Sequence, residues 1–183
     1  MTQKLLLAMA ISLCLMGSAQ SNMLVDTGQP SSTGGGQAFA YPQTLLAQFI
    51  LNQAATINAI TGWINAESTG MIQVQIYQDS GDTPGTMVYS QIVQVASTGA
   101  AWIGASTLNW SLRAGKYWVG FFDTMNTIQG SMPTPAPTPL AKEGYIAGPE
   151  TPFVRKDDMD IGVRISGSLN SPGLPASFIL LEN

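Results

Sequence analysis

Carboxylates are scarce in this chain, and two clusters of them stand out: Asp79 with Asp82, and Asp157 and Asp158 with Asp160. Hard oxygen ligands of this type suit Ca²⁺, which exported sandwiches use to fix a loop. Asp79, Asp82, Asp158 and Asp160 are therefore the candidate ligands, and Ca²⁺ is the single candidate cofactor. The segment from Asp79 to Gly85 lacks the D-x-D-x-D-G spacing of a calcium loop. Asp and Gly also serve hairpin turns by their own geometry. Arg155 and Lys156 stand beside the second cluster, able to neutralise it.

Aromatic rings offer a second chemistry. The tryptophans are Trp63, Trp102, Trp110 and Trp118. An exposed Trp on a sheet face stacks on sugar rings while amides bind the hydroxyls. Trp110 shares parity with Leu108 and Leu112, which assigns it to the core. Trp63 and Trp102 flank turns, so they are the candidate platform. Gln73, Gln75 and Gln78 supply amides where most surfaces would carry charges. The alternative is burial of both tryptophans and no small-molecule site.

Other chemistries are removed by what is missing. The chain has no His, and its one Cys is Cys14. Ser–His–Asp and Cys–His engines and imidazole metal sites are excluded. No S-x-x-K occurs to give serine a lysine base. Glu67, Asp123, Glu143 and Glu150 are the other candidates for acid–base glycoside hydrolysis, but nothing in the sequence pairs them across a cleft. No catalytic residue is assigned, and an enzyme is not expected. Seven Lys and Arg against eleven Asp and Glu give a net charge of −4, the wrong footprint for nucleic acid.

Residues 1–19 read as a secretory signal peptide. Lys4 gives the positive start, Leu5 to Met16 the apolar stretch, and Gly17-Ser18-Ala19 the small residues that signal peptidase accepts. The apolar run is about twelve residues, against the roughly 20 of a permanent span. Leu13 before Cys14 does not fit a lipoprotein signal, and Cys14 leaves with the peptide. Residues 20–170 are expected to form one domain and 171–183 a tail or short edge strand. A chain of this length builds a core without disulfides. The product is expected to be secreted, periplasmic or at the cell surface, with no permanent membrane anchor.

The elements that must position these groups are strands. Ile72, Val74 and Ile76 alternate with Gln73, Gln75 and Tyr77, so one set faces inward and the other outward. Ile161, Val163 and Ile165 repeat the pattern. Ala47 to Leu51, Leu108 to Leu112 and a first edge strand at Met23 to Val25 are further candidates. Tyr117 to Phe122 is apolar on both faces and predicts a central strand covered on each side. Met87 to Val95 changes phase near Ser90, as at a bulge. Ile57, Ile60 and Ile64 are spaced almost helically, yet Gly62 and the isoleucines favour a strand. Met132 to Pro139 reads as a crossover loop, its four prolines unfit for a ladder. With Gly- and Pro-rich turns between these runs, the fold class is all-β: a two-sheet antiparallel β-sandwich of jelly-roll or Greek-key type. Leu112-Arg113-Ala114-Gly115-Lys116-Tyr117 has the shape of a tyrosine corner or, alternatively, of an ordinary buried Tyr after a turn.

A resemblance sits on these same segments. Leu24 to Pro30, Gly62-Trp63-Ile64, Ile76 to Thr86, Ala114 to Val119 and Asp158 to Ile165 together look like the bacterial extracellular β-sandwich domains that precede PEP-CTERM or other interchangeable C-terminal sorting signals. The similarity covers most of residues 23–167. It implies a surface or matrix location and brings no catalytic residues. The stretch from Ser171 to Asn183 departs from the anchored members, with no Pro-Glu-Pro motif, apolar helix or basic tail, so release is expected. Two functions follow as expectations. One is an exported, non-catalytic structural or matrix-associated module. The other is a carbohydrate-binding module, with or without calcium, whose partner is an extracellular polysaccharide.

Overall fold

The computed structural model describes residues 22–124 and 128–170. The leader at 1–19 and the tail at 171–183 lie outside the described residues. Thirteen strands run in order: β1 (Asn22–Asp26), β2 (Gln37–Phe39), β3 (Thr44–Leu51), β4 (Ala55–Ala66), β5 (Gly70–Asp79), β6 (Pro84–Val95), β7 (Gly99–Ala105), β8 (Trp110–Leu112), β9 (Gly115–Asp123), β10 (Gly130–Met132), β11 (Glu143–Ile146), β12 (Phe153–Arg155) and β13 (Val163–Leu169). No helix occurs among the described residues, so none there is long and apolar enough to cross a membrane. Every strand pair is antiparallel, and the strands form two open sheets of seven and six. The chain is an all-β sandwich.

The seven-stranded sheet is built around β4. β13 lies along one side of β4 with β1 beyond it at the edge, while β7 and β8 lie along the other side. β10 and β2 extend the sheet at the far end of β4. The six-stranded sheet runs β12-β11-β3-β9-β5-β6. Between the sheets pack Phe49, Ile57, Ile60, Ile64, Ile72, Val74, Ile76, Val119, Phe121, Val163 and Ile165, all essentially without solvent contact. Alternation delivers these side chains to one face, and their burial is the main stabilising force.

The near-helical spacing in β4 has a backbone cause. β13 pairs Ser166 with Ala59 and Gly167 with Ile57, leaving Asn58 as an extra residue. This bulge turns both Ile57 and Ile60 toward the core. The Asn58 carbonyl instead accepts the N–H of Leu108, 2.8 Å away. A register shift in β6 leaves Val88 out between Met87 and Tyr89, close to the phase change expected near Ser90.

Other expectations change in detail. Ile161 is buried, as its parity predicts, but it belongs to a loop, and β13 starts only at Val163. Of Leu108 to Leu112, only the last three residues form a strand. The crossover between β9 and β13 is not a bare loop, since it carries β10, β11 and β12. Met132 closes β10, and the four prolines follow it.

β9 is central, as its two apolar faces require. Val119 and Phe121 point into the sandwich, while Trp118 is fully buried on the opposite face. Phe153 of β12 covers it edge-on, with ring centres 5.0 Å apart. β12 is three strands from β9 in sheet order, about 14 Å if the sheet were flat. The β11–β12 edge therefore curls over the outer face of β3. Gly144 makes the curl possible: a Cβ there would lie 2.3 Å from the Val154 carbonyl oxygen.

The tyrosine corner is present. The Tyr117 hydroxyl donates to the Arg113 carbonyl, 3.2 Å away and four residues back. Its ring stacks on Phe49 at 5.8 Å. Tyr117→Phe keeps the ring and loses the bond, so unfolding in urea is expected to show a loss of about 1 kcal/mol.

Candidate functional site

The outer face of the six-stranded sheet is a grid fixed by strand register. Thr44, Phe122, Gln73 and Ile92 lie in one row across β3, β9, β5 and β6. Leu46, Gly120, Gln75 and Ser90 form the next row, then Gln48, Trp118, Tyr77 and Met87. The curled edge stands over the β3 side of this grid, and the step between them is a cleft of about 280 Å³. Thr44, Gln75, Tyr77 and Phe122 line it from the sheet, Ile146 from the end of β11, and Pro42, Gly148 and Pro149 from the loops. Tyr41, before the cis Pro42, is half exposed and leans on Phe122 at 6.0 Å.

Gly120 lies in the middle row, buried beneath its neighbours' side chains. A Cβ there would come within 3.1 to 3.2 Å of Thr44, Gln75 and Leu46 side-chain atoms. Beside it runs a directional relay along β5. The Tyr77 hydroxyl donates to Gln75 Oε1 at 2.7 Å, and Gln75 Nε2 donates to Gln73 Oε1 at 2.8 Å. The Gln73 amide remains as donor at one end and the Tyr77 oxygen as acceptor at the other. Burial pushes the Tyr77 phenol above its ordinary range, so it keeps its proton. No Asp, Glu, Lys or Arg lines the cleft. It can take a neutral, hydroxyl-bearing ligand with an apolar ring face. A more open groove of about 360 Å³, which includes Asp79 and Lys116, flanks the tyrosine corner. Its charged groups are already engaged in the cluster described next.

Asp79 and Asp82 do come together, but around protein donors. Asp79 Oδ1 accepts Trp118 Nε1 at 2.8 Å and Gln48 Nε2 at 2.6 Å, and Oδ2 accepts the Asp82 N–H. Asp82 takes Lys142 at 2.5 Å and Lys116 at 3.0 Å. Burial opposes ionisation of Asp79, yet Trp118, the Asp82 N–H and Gln48 hold it below the usual carboxylate range. Lys142, Lys116 and Gln48 hold Asp82 far below it, and Asp82 in turn raises Lys116. The oxygens that would face a cation already face donors, two of them ammonium groups.

The second acidic cluster is spread out. Asp158 is exposed. Asp160 sits at φ 51°, a left-handed conformation that directs its backbone N–H to Glu143 Oε2. Asp157 is paired with Arg155 at 2.6 Å, as the neighbouring charges suggested, and caps the Glu143 N–H at 3.1 Å. Among the described residues no three acidic side chains gather around one point.

Glu143, a carboxylate weighed for hydrolysis, is fully buried and turns away from the cleft. Its register partner Ala47 belongs to the core face of β3. Besides the Asp160 N–H it accepts that of Ile161 at 3.1 Å, and so pegs down the loop carrying Met159 and Ile161 into the core. Burial pushes its carboxyl up to about 8, overcoming those two donors. Glu67 and Glu150 are exposed, and Asp123 is buried at the end of β9.

Trp63 and Trp102 stand side by side on the outer face of the other sheet, 5.5 Å apart and edge to face. Trp63 is buried, and its indole N–H donates to the Ser32 carbonyl at 3.4 Å. The Arg164 guanidinium lies 4.0 Å over the Trp102 ring, itself paired with Asp26. The pair is a packing cluster under the 30–32 segment rather than an open platform. Trp110 stacks flat on Tyr89 at 5.1 Å, against the core. Of the three amides singled out in the sequence, Gln75 lines the cleft, Gln73 joins it through the relay and Gln78 lies in the groove beside Asp79, while Phe122, Tyr41 and Pro149 carry no local sequence signal as ligand groups. The readable signal was Gln73, Gln75 and Tyr77 in one phase beside a Gly on a central strand.

No family model and no curated protein matches the chain.

Two outcomes follow from this geometry. Glu143 retains its proton when folded up to about pH 8 and releases it near 4.5 when unfolded. Between those values the folded state binds more protons, so this contribution is complete at low pH and is lost as pH rises through 8. The thermal midpoint is expected to fall from about pH 5 to about pH 8.5, and Glu143→Gln to flatten that slope from a lower starting value. Trp63→Ala is expected to cost about 3 kcal/mol in denaturant unfolding, as for a core aromatic.

Proposed function

We propose that the chain is an exported, non-catalytic β-sandwich module that binds neutral sugar rings in the cleft lined by Phe122, Tyr77 and Gln75. The observation that carries this reading is the combination of Phe122 and Tyr77 rings with the Tyr77–Gln75–Gln73 relay in an uncharged recess. Aromatic faces match the C–H faces of a pyranose, and fixed amides match its hydroxyls. The leader-like pattern at 1–19 and the resemblance to sorted extracellular sandwich domains support a surface or matrix setting. An extracellular polysaccharide is then the partner. Calcium is not needed for this reading, because Asp79 and Asp82 already hold the loop through Trp118, Gln48 and two lysines.

The test is native electrophoresis of the protein without residues 1–19 through gels containing xylan, mixed-linkage glucan, galactomannan or polygalacturonate. At least one neutral polymer is expected to retard it, polygalacturonate is not, and EDTA changes nothing. Tyr77→Ala and Phe122→Ala are each expected to weaken retention about tenfold, roughly the loss of one stacked ring. Gly120→Val, which displaces the Thr44 and Gln75 side chains that line the cleft, is expected to abolish it, with folding checked by thermal melting. Equal mobility of the wild type in every gel overturns the proposal.

A further inference from the structure

The cleft does not close on the β6 side. Beyond Gln73, Gln75 and Tyr77 the same face continues onto β6 as Ile92, Ser90 and Met87. Ile92 is 52% and Met87 46% exposed. Ser90 lies between them, also exposed, and directly opposite Gln75. No charged residue occurs anywhere in β6. Natural edge strands are usually blunted with charge, and an uncharged one with large apolar side chains on a face is a feature that needs a use.

Resting on the sugar-binding reading above, we infer that the cleft is one end of a groove crossing β9, β5 and β6. Its ligand is the interior of a linear, uncharged polysaccharide. One ring sits in the recess against Phe122 and Tyr77. The next ring passes over the relay, and the third lies on Ser90 between Met87 and Ile92. Three observations support this occupant. The strip is continuous with the recess and shares its neutrality. From β9 to β6 is two strand spacings, about 10 Å, which exceeds a single ring. The relay runs along β5, across the path of the ligand, so its free Gln73 donor and Tyr77 acceptor stand at opposite edges of the crossing chain. A closed recess would select chain ends; an open strip accepts chain middles.

The experiment uses the dimer and hexamer of whichever neutral polysaccharide retards the protein, titrated calorimetrically. The hexamer is expected to bind at least about tenfold more tightly than the dimer. Ile92→Ser and Ser90→Arg, both exposed changes whose folding is checked by thermal melting, are expected to remove most of that gain and leave dimer affinity unchanged. Equal affinity for dimer and hexamer overturns the extended groove while the recess stands. If Tyr77→Ala leaves hexamer affinity intact, the recess reading itself fails. Light scattering covers the remaining occupant: a wild-type dimer that Ser90→Arg converts to monomer means that a second copy covers the strip, and the inference falls.

Discussion

Trp118 is a large aromatic buried on the side of its sheet that faces away from the core, and covering it shapes everything on that side. An indole left in water there would forfeit a large apolar area. The cover is Phe153, which reaches it only because the sheet edge folds back at Gly144. The same fold-back lifts Ile146, Gly148 and Pro149 above the sheet as the wall of the cleft. The polar end of the ring is dealt with separately: its N–H goes to Asp79. That carboxylate then needs further donors, and Gln48 and the Asp82 N–H supply them, while the two lysines converge on Asp82. The second layer of packing thus explains both the recess and the acidic cluster beside it.

Carboxylates in this molecule act chiefly as acceptors for backbone and side-chain donors. Glu143 pins a loop, Asp157 caps and pairs, and Asp26 holds Arg164 over Trp102. In a chain of so few charges, Asp26, Asp79, Asp82, Glu143 and Asp157 are each committed to a structural bond. The recess is left neutral as a result.

Local alternation was legible where a strand is long and regular. β5 showed both of its faces in sequence, and the two apolar faces of β9 announced a covered central strand. In β4 a single extra residue, Asn58, changes the period from two to three and gives the isoleucines their near-helical spacing, so the strand was legible only through Gly62 and the β-branched residues. β2, β10, β11 and β12 have three or four residues each, too few for any period to emerge. β7 is mostly Gly and Ala, with little hydrophobic contrast. The tyrosine corner was readable because its bond spans four residues. What covers Trp63 and Trp102 was not, since Ser32 and Arg164 lie far away in sequence. The cleft combines residues from position 42 to position 149, and only its β5 part carries a local pattern.

The segment joining β11 to β12 contributes Gly148 and Pro149 to the wall of the recess, and none of its residues 147–152 belongs to the inter-sheet core. Lengthening or shortening that turn changes the depth of the recess while leaving the packed interior untouched. Ligand preference and folding are thereby separable traits in this scaffold. Residues 147–152 are the place where natural divergence, or a designer grafting a new specificity, can act at least cost to the rest.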